Sequence, residues 1–470
     1  MPDANKRRTA TRQRTRRRQK SAPPTTPPTA RPPVTSNGAM RTISDSDTLE
    51  ASSSSWGANL IGRAPRPLQR VSCEVANTIR RPSLLLSLML VTLVTLTAII
   101  AYYHIERYQS RLGAYGFPST LVGLADLSDW GAKAIGQPQL GVNPIGYDGQ
   151  FYYYLAYRPA IIVECSQPHF DCPMYTPDLR MQRILYPMTA WALSLGGQPG
   201  LLPFALPLIN LIAILVMCWL IGQLCLDAGF SRWPAIIAAL FCGNVLGAMR
   251  DLGDPFAVMW VIVAVFLMYR KHYLWAAVAV AAALLSREAL VFFLPFLALP
   301  LLAQRRWATL LLHALIGYAP FVAWQLTLHL LYGGWPLITQ DNGAAKPVLI
   351  PFSGLLSLRH ENTRFPLLLF GAGIPLAFAM VLCVKRVWDA GPRGLLHDPL
   401  PLMAFIYGLL YSLTYYFNWA DLWAAGRLSA PGVMLGALVA LRITSPSART
   451  AYFTVLILAA GATFVFLWGG

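Results

Sequence analysis

The chain has 470 residues, of which 55% are hydrophobic and only 13% are charged, and its mean hydropathy is +0.47. A soluble domain carries roughly 25% charged residues, so this composition excludes an ordinary soluble protein and indicates one that lies largely in lipid. The net charge of +17 is concentrated in residues 1–82, which hold sixteen Lys and Arg against five Asp and Glu. These basic runs have no interleaved aromatic residues and no recognisable nucleic-acid fold, so we expect no nucleic-acid partner.

The start of the chain differs from the rest in composition. Residues 1–82 are rich in Arg, Pro, Thr and Ser and have almost no apolar periodicity, so we predict a disordered tail. This basic tail places the start of the first predicted span, 83–103, in the cytoplasm, where its charges also contact anionic membrane lipids. Residues 83–470 are then expected to form one transmembrane domain.

A long polar loop is predicted after the first span. It covers residues 104–200 on the extracytoplasmic side and carries short surface helices, of which the clearest is expected at 183–195. Cys165 and Cys172 flank a polar part of this loop. They form a disulfide or remain two separate thiols, and the sequence leaves both interpretations open.

The rest of the chain is dominated by apolar runs long enough to cross a hydrocarbon layer about 30 Å thick. Continuous runs favour helices over a β-barrel, whose strands alternate apolar and polar residues. The further predicted spans are 201–224, 233–249, 255–269, 273–286, 288–304, 307–330, 365–385, 400–417, 428–442 and 451–468. About eleven spans place every short basic connector in the cytoplasm, as the positive-inside rule requires. The expected fold is therefore an all-α, multi-pass protein of the cell membrane with a cytoplasmic N-terminus.

The same arrangement gathers several polar segments on the extracytoplasmic face. Besides the long first loop, these segments are 250–254, 286–288, 331–364 and 418–427. Ionisable groups at the depth of a membrane are costly unless they face a cavity or one another. We therefore expect a functional site where these segments meet.

The most informative segment is 146–156, with the sequence GYDGQFYYYLA. It holds Asp148 in a glycine-flanked turn, between Tyr147 and the aromatic start of a helix that includes Gln150 and Tyr152. Aromatic rings favour the membrane interface and also stack on the faces of sugars. A second interpretation is that Asp148 only caps this helix within a belt of aromatic residues.

At these residues the chain resembles the GT-C superfamily of polyprenyl-phosphate-sugar-dependent glycosyltransferases, and most of all bacterial relatives of the PIG-V-like mannosyltransferases. Members of that group have an aromatic-Asp pair, a Pro-containing surface helix, an acidic motif between two spans and a Thr-Arg-type motif, in that order. The matching residues, spread over about residues 84–300, are Tyr147-Asp148, Leu185-Tyr186-Pro187, Asp251 to Asp254 and Ser286-Arg287-Glu288. The chain departs from the group at Gly149-Gln150, where PIG-V-like enzymes often have a His shortly after the Asp. Its C-terminal part matches loosely, through Gly426-Arg427.

The resemblance implies transfer of a sugar, with inversion, from a polyprenyl-phosphate donor to a glycan, lipid or protein acceptor at the extracytoplasmic face. Asp148 is expected to act as the base, or as a ligand to a divalent cation such as Mg²⁺ or Mn²⁺. Arg287 and Arg427, with Arg250 behind them, are expected to bind the phosphate of the donor, because guanidinium groups bind phosphate in a bidentate manner. The residues expected to contact the substrate are Tyr147, Gln150, Tyr152, Arg183, Tyr186, Asp251, Asp254 and Glu288.

Simpler interpretations exist for several of these residues. Arg287 and Glu288 also fit a purely structural ion pair between helices. Asp251 and Asp254 also fit a cap for the helix that begins at Pro255. Asp126 and Asp129, in the long first loop, are interpreted as solvated turn residues.

Other functional classes share the hydrophobic pattern. A Wzy-like polymerase or an O-antigen ligase also handles lipid-linked sugars, but such proteins carry their largest loop late in the chain. A transporter or flippase usually has internal repeats and broken helices near mid-membrane, and the sequence shows no repeat. A non-catalytic scaffold is the remaining alternative. Glycosyl transfer is the interpretation that the motifs favour.

Overall fold

The computed structural model describes residues 148–174, 176–337, 348–361 and 363–469, together with residues 88, 90–92 and 95. The predicted tail, most of the predicted first span and the loop up to Tyr147, with Asp126 and Asp129, lie outside the described residues. The described residues belong to one compact unit, Pro67–Gly470. Their regular secondary structure is helical, so the predicted all-α class is confirmed for this part of the chain.

In the described residues from Asp148 onward, four short helices precede the long apolar ones. They are α1 (Gly149–Tyr157), α2 (Ile161–Glu164), α3 (Pro177–Met181) and α4 (Leu185–Leu193). Cys165 and Cys172, between α2 and α3, form a disulfide. The helix predicted at 183–195 is present as α4 but begins two residues later.

Thirteen α-helices follow in the part of the chain that the structure describes. They are α5 (Leu202–Asp227), α6 (Trp233–Ala239), α7 (Cys242–Met249), α8 (Asp254–Tyr269), α9 (Tyr273–Ser286), α10 (Leu299–Ala303), α11 (Trp307–Tyr332), α12 (Ser353–Leu356), α13 (Arg364–Leu368), α14 (Ile374–His397), α15 (Leu400–Ser412), α16 (Leu422–Ala440) and α17 (Pro446–Gly469). A π-helical turn, Leu369–Gly373, joins α13 to α14 without a break, and α14 changes direction at Gly391, where φ is 66°.

Among the described residues, five helical segments are long and apolar enough to cross a membrane. They are Leu202–Asp227, Trp307–Tyr332, Arg364–Gly391, Leu422–Ala440 and Pro446–Leu467. Four shorter apolar helices, Asp254–Tyr269, Tyr273–Ser286, Leu294–Ala303 and Leu400–Ser412, pack among them. The described chain therefore has the character of a membrane protein.

Two of the predicted spans are interrupted. The segment 233–249 breaks at Phe241, whose ψ of 139° is not helical, and continues as the separate helix α7. The segment 288–304 forms two 3₁₀ turns, Glu288–Phe292 and Leu294–Ala298, before α10. Pro295 and Pro300 lie in this stretch, and a proline supplies no backbone N–H to a helix. An apolar run alone does not report such breaks.

The charged side chains gather at two opposite ends of the helices. Helix α8 has 16 residues, about 24 Å at 1.5 Å per residue. Its first residue, Asp254, contacts Arg287, whereas its last residue, Tyr269, donates a hydrogen bond to Asp398. Two clusters result, each named after one carboxylate. The Asp148 cluster comprises Asp148, Arg180, Arg183, Asp254, Arg287, Glu288 and Arg427, and the Asp398 cluster comprises Tyr269, Arg386, Asp398 and Arg442.

Candidate active site

Asp148 lies directly before α1, at a point where this helix meets another part of the backbone. Gly149, the first residue of α1, packs so closely on Arg250 that a Cβ atom at Gly149 would overlap the Arg250 carbonyl oxygen. Glycine permits this approach because it has no side chain. The glycine after the predicted catalytic carboxylate therefore places Asp148 beside the turn 250–254.

Both oxygens of the Asp148 carboxylate are bound by arginines. Nη1 of Arg180 lies 2.8 Å from Oδ1, and Nη2 of Arg427 donates a hydrogen bond of 2.7 Å to Oδ2. The Asp148 side chain makes no capping hydrogen bond to α1. The interpretation of Asp148 as only a helix cap is therefore wrong.

Asp254 continues this chain of charges away from Asp148. Its Oδ1 forms an ion pair with Nη1 of Arg287, and its Oδ2 lies 3.8 Å from Nη1 of Arg427. Gly253, not an aspartate, occupies the cap position of α8. The capping role considered for Asp254 is therefore not the one it has, because its carboxylate faces two guanidinium groups.

Arg183 and Glu288 form a second, bidentate ion pair in the cluster. Nε of Arg183 donates to Oε2 of Glu288 at 2.8 Å, and Nη2 donates to Oε1 at 2.7 Å. Nη1 of the same guanidinium group lies 3.2 Å from the Tyr152 hydroxyl. Glu288 therefore pairs with the segment before α4, whereas Arg287 pairs with Asp254. Neighbours in the sequence thus serve two different ion pairs.

A hydrogen-bonded set of polar groups, which includes residues of α4 and α5, lies next to the cluster. The rings of Tyr152 and Tyr186 meet edge to face, with their centroids 5.3 Å apart. The Tyr186 hydroxyl donates to the carbonyl of Leu206 and accepts a hydrogen bond of 2.9 Å from Asn210. Nδ2 of Asn210 also donates to the carbonyl of Leu252. A single amide from α5 therefore ties α4 to the turn that precedes Asp254.

Three predicted site residues have surroundings of a different kind. The guanidinium group of Arg250 lies over the Trp423 ring, 4.3 Å from its centroid, and Gln150 accepts a hydrogen bond from the Tyr154 hydroxyl. Asp251 is fully buried, with a left-handed φ of 51°, a conformation that Asp adopts more readily than most residues. Arg250 and Asp251 belong to the turn 250–254, Gln150 belongs to α1, and Tyr147 lies outside the described residues.

Exposure divides the Asp148 cluster into two layers. The outer layer has side chains that are 12–15% exposed, namely Asp148, Arg180, Arg183 and Arg427. The inner layer has side chains that are 2–7% exposed, namely Asp254, Arg287 and Glu288. A molecule that approaches the cluster from outside therefore meets Asp148 and its two arginines first.

The arginines keep two acids of the network ionised, Asp148 in the outer layer and Glu288 in the inner layer. Burial by itself raises the pKa of Asp148, but Arg427 and Arg180 outweigh this effect and hold the pKa well below its usual range. Burial likewise raises the pKa of Glu288, but Arg183 outweighs it and lowers the pKa to about 2. At neutral pH the carboxylates of Asp148 and Glu288 are therefore charged and lie against guanidinium groups in a largely apolar protein.

Two important members of the site were not predicted. Arg180 lies three residues before Arg183 in the same short segment, and this repeated arginine was the available signal. Asn210 is a polar residue in the middle of an apolar run, which is a recognised sign of a functional or structural contact within a membrane. Neither signal identifies the partner, because Arg180 and Asn210 contact residues of other elements.

The acidic residues of the cluster do not fit a divalent cation. Within the part of the chain that the structure describes, no group of three His, Cys, Asp or Glu side chains is placed to hold a metal ion. The carboxylates of Asp148 and Asp254 face guanidinium groups, which repel a cation and compete with it for the same oxygens. No reaction step is therefore assigned to the Mg²⁺ or Mn²⁺ ion that the sequence suggested for Asp148.

The fold and the cluster together define a class of protein: an α-helical chain of membrane character that buries a network of alternating charges at one end of its helices. Comparison with known proteins does not narrow this class, because no family model, no curated protein and no solved structure matches the chain. The chemistry of the Asp148 cluster is therefore the basis for a function.

Proposed function

We propose that this chain is a membrane glycosyltransferase that moves a sugar from a polyprenyl-phosphate donor to an extracytoplasmic glycan, lipid or protein acceptor, with inversion. One observation carries the proposal. Asp148 and Arg427, 279 positions apart in the sequence, meet in a buried cluster that also holds Arg180, Arg183 and Arg287. A carboxylate among several guanidinium groups is the set of side chains that this reaction needs.

The proposed reaction is a single displacement. The hydroxyl oxygen of the acceptor attacks the anomeric carbon of the sugar, and its proton passes to the carboxylate of Asp148. The bond between the anomeric carbon and the phosphate oxygen breaks, and its electron pair leaves with the polyprenyl phosphate. Attack from the side opposite the leaving group inverts the anomeric centre.

The arginines have a separate task in this reaction. The departing phosphate gains negative charge, and preorganised guanidinium groups stabilise such charge in a site of low polarity. We assign this task to Arg427 and Arg180 of the outer layer, supported by Arg287 and by Arg250, whose guanidinium group lies over the Trp423 ring. Arg183 is held in place by Tyr152 and Glu288, and the ring of Tyr186 packs against Tyr152.

We further propose that the Asp148 end of the helices faces the outside of the cell membrane, in a topology of about eleven spans with a cytoplasmic N-terminus. The disulfide Cys165–Cys172 lies in the segment that leads to Arg180, and disulfides persist in oxidising compartments. At the Asp398 end lie Arg386 and Arg442, which belong to the connectors expected inside. Both features favour the same orientation.

Labelling of introduced cysteines tests this orientation. Gln167 is exposed beside the disulfide, and Ala390 lies in α14 directly before the change of direction at Gly391. We expect a thiol at Gln167 to react with a membrane-impermeant reagent in intact cells, and a thiol at Ala390 to react only after the cells are opened. If the Ala390→Cys variant reacted in intact cells, the proposed orientation would be wrong.

Sugar transfer by the purified protein tests the function directly. We expect the protein in nanodiscs to transfer a sugar from at least one polyprenyl-phosphate monosaccharide to an envelope-derived acceptor and to release free polyprenyl phosphate, both followed by mass spectrometry. A parallel reaction contains diphosphate-linked oligosaccharides, the substrates of a polymerase or ligase. Transfer from the diphosphate donors alone, or movement of a lipid-linked sugar across the bilayer without a new glycosidic bond, would contradict the proposal.

A further inference from the structure

The carboxylate of Asp148 and a phosphate group can each bind two arginines, because each presents two charged oxygens. Each oxygen of the Asp148 carboxylate engages one guanidinium group, that of Arg180 at 2.8 Å and that of Arg427 at 2.7 Å. A phosphate ester also presents at least two charged oxygens, and it forms charge-assisted hydrogen bonds with the same donors. We infer that the phosphate of the donor competes with Asp148 for Arg180 and Arg427, so that donor binding releases the carboxylate for catalysis. This inference rests on the proposed glycosyl transfer.

The position of the three side chains favours such an exchange. Asp148, Arg180 and Arg427 all belong to the outer layer of the cluster, at 12–15% exposure. Arg427 also lies 3.8 Å from the inner carboxylate of Asp254, so it keeps a negative neighbour when Asp148 withdraws. An incoming phosphate can therefore reach both guanidinium groups without opening the inner layer.

The surroundings of Arg180 allow its guanidinium group to bind either Asp148 or a phosphate. It lies in α3, which has only five residues and follows Thr176, a residue with a left-handed φ of 50°. Its guanidinium group lies over the Phe151 ring, 4.7 Å from the centroid. A contact with the face of a ring leaves the N–H groups at the edge of the guanidinium plane directed at an anion.

The exchange resolves a conflict in the chemistry of Asp148. A carboxylate that accepts hydrogen bonds from two arginines is a weak base, because they hold its pKa well below the usual range. Burial alone acts in the opposite direction and raises the pKa. Transfer of the two guanidinium groups to a phosphate therefore makes Asp148 a stronger base at the moment when the donor is in place. Without a bound donor the base stays masked, which also limits side reactions with water.

Binding of a phosphate lipid that carries no sugar tests the competition without any turnover. The probe is a short-chain isoprenyl phosphate, titrated into the full-length protein in nanodiscs. We expect Arg180→Gln to weaken its binding by about tenfold or more, the usual value of a hydrogen bond to a charged group. We expect Asp148→Asn to strengthen binding by about tenfold, because the competing charge is removed while the shape is kept. Unchanged or weaker binding by Asp148→Asn would overturn the inference.

Two matched variants separate the competition from a general change in charge. Arg158 pairs with Glu164 in the same part of the chain, with 49% of its side chain exposed, so Arg158→Gln controls for the loss of one positive charge. Asp421 caps α16 by accepting a hydrogen bond from the Ala424 N–H. Asp421→Asn removes a negative charge and keeps a residue that caps well. We expect neither control to change the affinity by more than about twofold. An equal gain in Asp421→Asn and Asp148→Asn would refute the competition.

Other phosphate ligands distinguish the source of the anion. We expect inorganic phosphate and phosphatidic acid in nanodisc lipid to bind more weakly than the isoprenyl phosphate. Equal binding of phosphatidic acid, with the same dependence on Arg180 and Asp148, would assign the two arginines to a membrane phospholipid and overturn the link to the donor. If Asp148→Asn does not give a monodisperse protein, Asp148→Ala replaces it in the same titration.

The outcomes also separate this inference from the proposed function. Tight binding of the isoprenyl phosphate, with the expected variant effects but no sugar transfer from any donor, would keep the competition and remove glycosyl transfer. Sugar transfer by the wild-type protein without tighter binding by Asp148→Asn would keep the function and remove the competition.

Discussion

Asp148 and Asp398 look alike when each is considered alone. Both side chains are 15% exposed, and each lies within ion-pair distance of two arginines, Arg180 and Arg427 for Asp148 and Arg386 and Arg442 for Asp398. They lie at opposite ends of the same helices. The local surroundings of a carboxylate therefore do not distinguish the proposed general base from a carboxylate that only ties helices together.

The two clusters differ in what lies beyond the first pair of arginines. At the Asp398 end the third partner is the Tyr269 hydroxyl, at 3.0 Å, and the Arg442 guanidinium group covers the same ring at 4.0 Å. This arrangement ties the ends of α8, α14 and α16 together. At the Asp148 end, Arg427 leads on to Asp254 and a second arginine, in a layer that is almost fully buried. A buried network that continues inward is costly to assemble, which indicates a functional use.

Removal of one carboxylate charge at each end of the helices should give the largest difference in the rate of sugar transfer. We expect Asp148→Asn to lower sugar transfer by a factor on the order of 10²–10⁴, the usual contribution of a general base. We expect Asp398→Asn, the matched change at the other end, to leave the rate per folded molecule within about threefold, because its cluster only ties helices together. The measurement is the initial rate of transfer in nanodiscs, normalised to the monodisperse fraction on size-exclusion chromatography.

Two results would break this contrast. Wild-type transfer by Asp148→Asn would remove Asp148 from the reaction, and the search for a base would move to Asp254 or Asp251. An equal loss of transfer in both variants would show that the rate depends on helix packing at either end.

Ion pairs of the two clusters should differ in their effect on stability. Arg183→Met leaves the carboxylate of Glu288 buried without its bidentate partner, and we expect a loss of about 3–5 kcal/mol in the free energy of unfolding. The double variant Arg183→Met, Glu288→Leu should recover part of this loss, because no buried charge remains. Arg386 is 28% exposed and 3.5 Å from Asp398, so Arg386→Met should cost no more than about 1 kcal/mol.

Thermal unfolding in detergent, calibrated with a chemical denaturant, measures these differences. A double variant that is less stable than Arg183→Met alone would contradict the assignment of a buried pair. Equal losses for Arg183→Met and Arg386→Met would remove the distinction between the two ends.

The smallest expected effect is a dependence of stability on acid pH. Burial raises the pKa of Glu288, but Arg183 lowers it to about 2 in the folded protein, from an ordinary value of 4.5. The pair therefore stabilises the fold fully above the ordinary pKa, and this contribution is lost as the pH falls from there toward the folded value. We expect the difference in the free energy of unfolding between wild type and Glu288→Gln to fall by about 2 kcal/mol between about pH 6 and about pH 3. A constant difference over this range would show that the carboxylate is not held ionised by Arg183.

Sequence reasoning was most successful where the signal is local. The apolar runs correctly predicted α5, α11, α14, α16 and α17, because the hydropathy of a helix is a sum over its own residues. It failed where the backbone depends on neighbours. Gly243 of α7 packs on the backbone of Gly426, and a Cβ at Gly243 would overlap the Gly426 carbonyl oxygen. This contact brings α7 against α16 at the residue directly before Arg427. Nothing in the run 233–249 reports that contact.

The sequence by itself predicted a helical protein of membrane character, which the described residues confirm, and it proposed Asp148, Asp254, Arg287 and Arg427 as members of a functional site. Only the tertiary structure decided the pairing: that Asp148 engages Arg180 and Arg427, that Arg287 belongs to Asp254, and that Glu288 belongs to Arg183. The physical reason is one of range. Transfer from water to lipid is an additive property of neighbouring residues, whereas the pairing of charges 105 or 279 positions apart depends on how whole helices pack.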